Sequence, residues 1–120
     1  MRTYKLIDAF ETISESFAFL HKEWRFELIK EENLNYACVL EYQKNQLIIR
    51  IAYDYKDNFF YFSFILSGER IPIIKLFEEK EPNVDWRLFE PDDSQYKESL
   101  MRNIEYVKKY KNDIVKMAEI

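Results

Sequence analysis

Few residues of this chain have the types and spacing that chemistry requires. The sequence contains one His, one Cys and one Gly among 120 residues. A single Gly excludes the glycine-rich loops that let a backbone approach a phosphate closely. One Cys and one His cannot form a zinc site of the usual Cys/His spacing or an H-E-x-x-H site. We therefore expect no metal, no other cofactor and no standard nucleotide-binding loop.

His21 and Cys38 are the two candidates for acid–base or nucleophilic catalysis. His21 falls near the end of a predicted helix, where its ring is expected to contact a helix-end carbonyl or solvent, and general acid–base work would need a positioned partner that the sequence does not identify. Cys38 falls on the predicted core face of a strand, where a buried thiol behaves as a small hydrophobe with a raised pKa. We predict no catalytic residue at either position, and a lone Cys favours a reducing compartment.

Carboxylates are plentiful, but they cluster in predicted loops. The clusters lie at Glu31-Glu32, from Glu78 to Glu81 and from Glu90 to Asp93. Paired carboxylates hydrolyse glycosides or hold a divalent metal only when several elements bring them together in a cleft. Solvated loops are the simpler interpretation. An enzyme that uses carboxylate, Arg and Tyr residues in a pocket beside the sheet is kept as an alternative function.

Two hydrophobic periodicities divide the chain. From about Tyr4 to His21, the apolar residues Leu6, Phe10, Ile13, Phe17 and Leu20 recur at steps of three and four, which predicts an amphipathic helix with one face to bury. The period then changes to two, which predicts strands separated by turn residues. The predicted strands run from Trp24 to Lys30, from Leu34 to Tyr42, from Gln46 to Tyr55 and from Phe59 to Leu66.

Short loops between these strands predict an antiparallel meander. A three-residue loop is expected from Glu31 to Asn33, and two-residue loops are expected at Lys44-Asn45 and Asp57-Asn58. In the resulting register, apolar residues of all four strands share one face, for example Tyr42 opposite Leu47. Such a face must be covered, and helices on one side are the usual cover.

The remaining segments are a short linking region and a long helix. Pro72 suits the first turn of a short helix that ends before a loop from Glu81 to Asn83, with an edge strand from Arg70 to Ile74 as the competing interpretation. A polar cluster at Pro91 then predicts a helix to about Ala118. The fold is thus predicted to be a single α+β domain over residues 1–120. It is a four-stranded antiparallel meander with N- and C-terminal helices packed on one face, in the order α-β-β-β-β-α-α.

The other face of the predicted sheet is a candidate binding surface. It places Arg, Tyr and carboxylate side chains around a trough of small residues, and Arg and Tyr are enriched at protein interfaces. The alternatives are an ordinary solvated face with cross-strand ion pairs, a cover formed by the segment around Trp86, or stacking on a second copy in a homodimer. The predicted partner-binding residues are Arg25, Glu27, Arg50, Asp54, Tyr61 and Trp86.

Charge and hydropathy limit the partners and the location. The net charge of −4 makes nucleic acid a poor partner. From Glu78 to Glu98 there are eight acidic and three basic residues, so an acidic region could attract a basic protein. The N-terminal residues are interrupted by charge, and the longest apolar stretch, around Phe59 to Leu66, is much shorter than a membrane span. These features predict a cytoplasmic protein without a membrane segment.

Part of the chain shows a resemblance at the level of pattern. It is carried by Tyr53-Asp54-Tyr55, the aromatic strand from Phe59 to Leu66, the segment from Ile73 to Phe77 and the lysine-rich last helix. Over about the last two thirds of its length, the chain resembles small bacterial proteins of unassigned function, some of them similar to immunity proteins that neutralise toxins. The resemblance implies no specific site residue. We therefore predict a non-enzymatic protein-binding module, immunity-like or antitoxin-like, that masks a basic partner.

Overall fold

An antiparallel sheet with helices on one face forms the part of the chain that the computed structural model describes, namely residues 10–56, 59–84 and 96–119. This confirms the α+β class and the antiparallel sheet. Five strands follow one another in the sheet in chain order. The strands are β1 (Glu27–Asn33), β2 (Ala37–Lys44), β3 (Leu47–Asp54), β4 (Phe59–Leu66) and β5 (Glu69–Pro72). The helices are α1 (described over residues 10–16), α2 (Phe19–Lys22), α3 (Ile74–Lys80), α4 (Tyr96–Lys109) and α5 (Lys111–Ala118).

The predicted number of four strands is wrong, because β5 adds a fifth. Ser67 and Gly68 have φ angles of 53° and 81°, and two successive residues in this region form the tight turn that twists a hairpin correctly. Leu66 therefore pairs with Glu69, and β4 continues into β5. The strand ends at Pro72, which has no amide proton, and α3 begins at Ile74. The two competing interpretations of this region, strand and helix, both occur, one after the other.

The registers around β3 differ from the predicted ones by two residues. The turn between β2 and β3 is at Asn45 and Gln46, with Asn45 at a φ of 54°, and Tyr42 lies opposite Ile49. Between β3 and β4 the connection spans residues 55–58, so Ile51 lies opposite Phe62. Because side chains alternate with a period of two, a shift of two residues leaves each of them on its predicted face.

The predicted pairing of the first strand with β2 is wrong. The connection has three residues, as predicted, but it lies at residues 34–36 rather than 31–33. Asn33 pairs with Cys38, and the register shifts between Leu28 and Lys30. The polar residues before the loop do not end the strand, since an edge strand can hold charged side chains in solvent. Trp24 and Phe26 are buried, as expected of core residues, but they precede the strand.

Both predicted long helices are interrupted. The first ends at residue 16, and α2 follows after a tight turn in which the Leu20 amide donates to the Phe17 carbonyl at 3.0 Å. The last breaks at Tyr110, whose φ of −102° and ψ of 28° separate α4 from α5. The predicted starts of both helices, at Tyr4 and Pro91, lie outside the described residues.

One core lies between the helices and the sheet. The helices contribute the predicted stripe residues Ile13, Phe17 and Leu20 from the first helical region, all almost fully buried. These helical residues belong to the same core cluster as the buried residues of β2, β3 and β4. The central buried residues are Cys38, Leu40, Tyr42, Leu47, Ile49, Ile51, Tyr53, Phe62, Phe64, Phe77, Leu100, Ile104, Val107, Ile114 and Ala118.

Candidate protein-binding surface

The strand β1 forms one edge of the sheet. Its neighbour on one side is β2, and no strand of the described chain pairs with its other side. At seven residues β1 is much longer than β5, the four-residue strand at the opposite edge. Six of the seven residues of β1 are exposed, and Glu32 is half-buried. β1 is therefore the longer of the two edge strands in the described sheet.

Four large apolar side chains are exposed along β1 and the loop that follows it. Their exposed fractions are 38% for Leu28, 42% for Ile29, 39% for Leu34 and 66% for Tyr36. Ile29 is the extra residue where the register shifts, and such a bulge displaces the strand locally. Single exposed apolar residues are ordinary, whereas four within ten consecutive residues form a patch that typically contacts another molecule.

Acidic side chains surround this patch. Glu27, Glu31 and Glu32 belong to β1, with Lys30 as the single basic residue of the strand. Lys30 approaches Glu32 at 3.5 Å in an exposed ion pair. On the neighbouring strand, burial and the negative charge of Glu31 raise the pKa of Tyr42 to about 12. We call the surface formed by residues 27–36 the β1 edge; it is apolar and net negative.

The predicted outer-face site is formed only in part. Arg50 lies on that face, but it is neutralised within the chain by a Glu41 carboxylate 3.1 Å from its Nε. Tyr61 lies opposite Ala52 and is half-exposed. Val39, Ala52 and Ser63 are buried on this side of the sheet, and we call them the outer trough. It is not the predicted alignment, because Ala52 lies opposite Tyr61 and Ser63 lies opposite Arg50. The predicted rows were shifted, because the registers differ by two residues.

Of the other predicted site residues, Glu27 and Asp54 lie on the outer face and Arg25 does not. Arg25 precedes β1 in a left-handed conformation with a φ of 63°, so it is not part of the sheet. Glu27 lies opposite Gln43, and Asp54 lies opposite Ala37 of β2 and Phe59 of β4. Asp54 accepts a hydrogen bond from the Lys56 amide at 2.8 Å, an interaction typical of a turn. Trp86 lies outside the described residues.

A cluster around Glu81 joins the end of α3 to the break between α4 and α5. The Tyr110 hydroxyl donates to the Glu81 carboxylate, and Lys109 donates to the same oxygen at 2.9 Å. These two donors lower the pKa of Glu81, and the carboxylate in turn raises the pKa of Lys109. Desolvation and the bond to Glu81 also raise the pKa of Tyr110. A general acid would need a raised carboxyl pKa, so Glu81 does not fit that role.

His21 contacts the backbone, and Cys38 is buried on the core face, as its strand position predicted. The His21 Nδ1 lies 2.9 Å from the Phe26 carbonyl oxygen, and because a carbonyl can only accept, this nitrogen carries the proton. The carbonyl belongs to the residue before β1 rather than to a helix end. Burial raises the pKa of the Cys38 thiol, which lies beside Tyr55. A protonated, buried thiol is a poor nucleophile.

The described residues form neither a metal-binding cluster nor a membrane-spanning helix. Within the described ranges, no group of three or more His, Cys, Asp or Glu residues is arranged to hold a metal ion. None of the helices described is both long enough and apolar enough to cross a membrane.

Comparisons with protein-family models, with curated proteins and with solved structures find no match to this chain. Its function therefore has to be argued from the surface itself.

Of the β1 edge, the sequence interpretation identified only Glu27 as a candidate binding residue. The sequence interpretation placed Glu31 and Glu32 in a loop and Leu28 in the core, so their shared edge could not be seen. One signal was present: Leu28 and Ile29 are adjacent apolar residues in a charged run, which breaks a period of two. Adjacent apolar residues of this kind indicate a bulge or a second exposed apolar side.

Proposed function

We propose that this protein is a non-enzymatic binding module that masks a basic protein partner, in the manner of an immunity or antitoxin protein. The observation that carries the proposal is the β1 edge, where four exposed apolar side chains lie among three glutamates. Apolar contacts supply most of the affinity at an interface, whereas complementary charge selects the partner and accelerates the encounter. The partner surface should therefore combine apolar residues with Lys or Arg.

The surroundings of the polar groups favour binding over catalysis. Cys38 is buried and His21 is bonded to the backbone, while Glu81 is held in its charged form by Tyr110 and Lys109. The buried Cys38 thiol lacks the access that a nucleophile needs, and the Glu81 carboxyl group lacks the raised pKa that a general acid needs. By contrast, the apolar residues of the β1 edge reach solvent without packing in the described core.

Affinity capture from the native cells tests the proposal. The tagged protein should retain one basic protein in stoichiometric amount at low salt, and a high-salt wash should release most of it because long-range charge attraction is screened. A Tyr36→Ser/Ile29→Ser variant should lose that protein. A matched variant, Glu78→Gln/Glu79→Gln on the exposed side of α3, should retain it.

Two results would count against the proposal. Retention of the same protein by the β1-edge variant would show that binding uses another surface. Failure to retain any basic protein at low salt would contradict the proposed function as a whole.

A further inference from the structure

The hydrogen-bond pattern of β1 shows which backbone groups face away from the sheet. The Leu34 amide donates to the Ala37 carbonyl at 2.8 Å, so these two residues form a hydrogen-bonded pair. Antiparallel strands alternate such pairs with pairs that exchange no hydrogen bonds. Glu32, opposite Val39, is therefore turned toward β2, and Glu31 and Asn33 are turned away from it.

The next strand pair gives the same pattern independently. The Tyr55 amide donates to the Tyr36 carbonyl at 2.9 Å, so even-numbered residues of β2 bond to β3. Odd-numbered residues of β2, such as Val39, must then bond to β1. The pairing of Val39 with Glu32 satisfies this requirement. The amide and carbonyl groups of Glu31 and Asn33 thus lie along the open side of β1.

The geometry points to strand addition as the mode of binding: an extended segment of a partner, with Lys or Arg alternating with apolar residues, pairs with the open side of β1. This rests on the proposed function and specifies its geometry. Main-chain hydrogen bonds to Glu31 and Asn33 would give affinity, and pairing of a basic residue with Glu31 would give selectivity. The Asn33 side chain is already fixed, since its Oδ1 accepts from the Tyr55 hydroxyl at 2.6 Å.

A second copy of this chain fits the same edge poorly. Antiparallel pairing of two β1 strands about a two-fold axis near residues 31 and 32 would bring Glu31 or Glu32 of one copy beside the same acidic segment of the other. Like charges directly opposite each other destabilise a strand pair. The acidic edge therefore selects a basic segment over self-association.

Binding of a synthetic peptide tests this inference. The probe is acetyl-Val-Lys-Val-Lys-Val-Lys-Val-amide at low salt, and the control peptide has N-methyl-lysine, methylated on the backbone nitrogen, in place of every Lys. The two peptides carry equal charge, but the control lacks the three lysine amide protons, which face β1 when lysines lie opposite Glu31 and Asn33. The probe should bind, and the control should bind at least about tenfold more weakly, the ratio expected for one or two lost hydrogen bonds.

Amide hydrogen exchange gives a readout that charge attraction alone does not change. In the free protein, the amides of Glu31 and Asn33 should exchange quickly, and those of Glu32 and Leu34 should exchange slowly. Addition of the probe should slow exchange at Glu31 and Asn33. Unchanged exchange at both positions under saturating probe would overturn strand addition.

A Glu31→Pro variant completes the test. Proline at this position removes an amide that points away from β2, so the ladder to β2 is kept, as edge strands allow. The variant should bind the probe about tenfold more weakly than Glu31→Gln, which loses the charge but keeps the amide. If Glu31→Pro does not fold, the exchange measurement on the unaltered protein decides alone.

The outcomes separate the two proposals. Equal binding of both peptides, with loss in Glu31→Gln and no amide protection, would overturn strand addition and leave the basic-partner function standing. Absence of binding for both peptides would overturn strand addition and count against the β1 edge as a basic-partner surface.

Discussion

Phe62 and Ser63 are neighbours in β4 whose side chains lie on opposite faces of the sheet. Phe62 packs in the core with its ring centroid 5.5 Å from that of Phe17, whereas Ser63 lies in the outer trough. Phe62→Ala should lower the free energy of unfolding by about 3–5 kcal/mol, because it leaves a cavity among aromatic rings. Ser63→Ala should change it by about 1 kcal/mol or less, because only one hydroxyl is lost.

Urea unfolding of the two variants and the unaltered protein measures the difference. Equal losses at the two positions would contradict the assignment of faces in β4.

Glu81 makes the stability of the folded protein depend on pH in the acid range. Its pKa is lowered in the folded state, first by the Tyr110 hydroxyl and then by Lys109, from an ordinary value of 4.5. A lowered folded pKa contributes stability that is fully present above 4.5 and is lost as the pH falls through the folded value. The stability difference between the unaltered protein and Glu81→Gln should therefore be larger at pH 7 than at about pH 3.

Tyr110→Phe is the control for this effect. Without the hydroxyl, the pKa of Glu81 should rise, which carboxyl NMR titration measures directly. An unchanged pKa would show that Tyr110 does not stabilise the carboxylate.

The types and spacing of residues predicted much of the core but little of the binding site. Ile13, Phe17 and Leu20 are buried as their spacing predicted, because a stripe of large apolar residues has only the core to occupy. Binding residues are different, since an Arg such as Arg50 satisfies the same pattern whether it contacts a partner or Glu41 of its own chain. Pattern alone cannot separate these cases.

At the scale of elements, the connection between α2 and β1 depends on an unusual backbone conformation. Arg25 has a φ of 63°, which costs a non-glycine residue about 1–2 kcal/mol. It allows the Phe26 amide to donate to the Leu20 carbonyl at 2.8 Å and leads the chain into β1. Arg25→Gly should raise the free energy of unfolding by about 0.5–1 kcal/mol, since Gly removes this strain but adds freedom to the unfolded chain.

Arg25→Val is the opposing variant. A β-branched side chain is strongly disfavoured at positive φ, so thermal unfolding should show a lower midpoint than in the unaltered protein. A more stable Val than Gly variant would contradict the left-handed conformation.

Strand faces were predictable, and strand ends were not. The predicted registers of β3 were wrong by two residues, but Ile51 and Phe62 still lie on the core face. Hydrophobic alternation fixes the face on which a side chain lies rather than the residue opposite it. Turn residues set position, and Asn45 occurs in the observed turn as well as in the predicted one. The end of β1 was missed because Glu31 and Glu32 resemble a loop in composition, although an edge strand accepts them.

At the scale of the whole molecule, the distribution of charge matters more than the net value of −4. Three glutamates lie on the β1 edge, whereas the last turns of α4 and α5 carry Lys108, Lys109 and Lys116. The basic residues complement the negative ends of the helix dipoles. In the proposed function, the acidic residues of β1 select a basic partner and oppose self-association.

Removal of the β1 charges should therefore change the association state of the protein. In Glu27→Gln/Glu31→Gln/Glu32→Gln, an open strand edge with exposed Leu28 and Ile29 is no longer kept apart by like charges, so self-association should increase at pH 7. A control with the same change in net charge is Glu78→Gln/Glu79→Gln/Glu105→Gln, whose sites are exposed helical positions. Sedimentation velocity should show larger species for the edge variant alone. Equal association of both variants would trace the effect to net charge, and a dimer of the unaltered protein would contradict an edge that excludes its own copies.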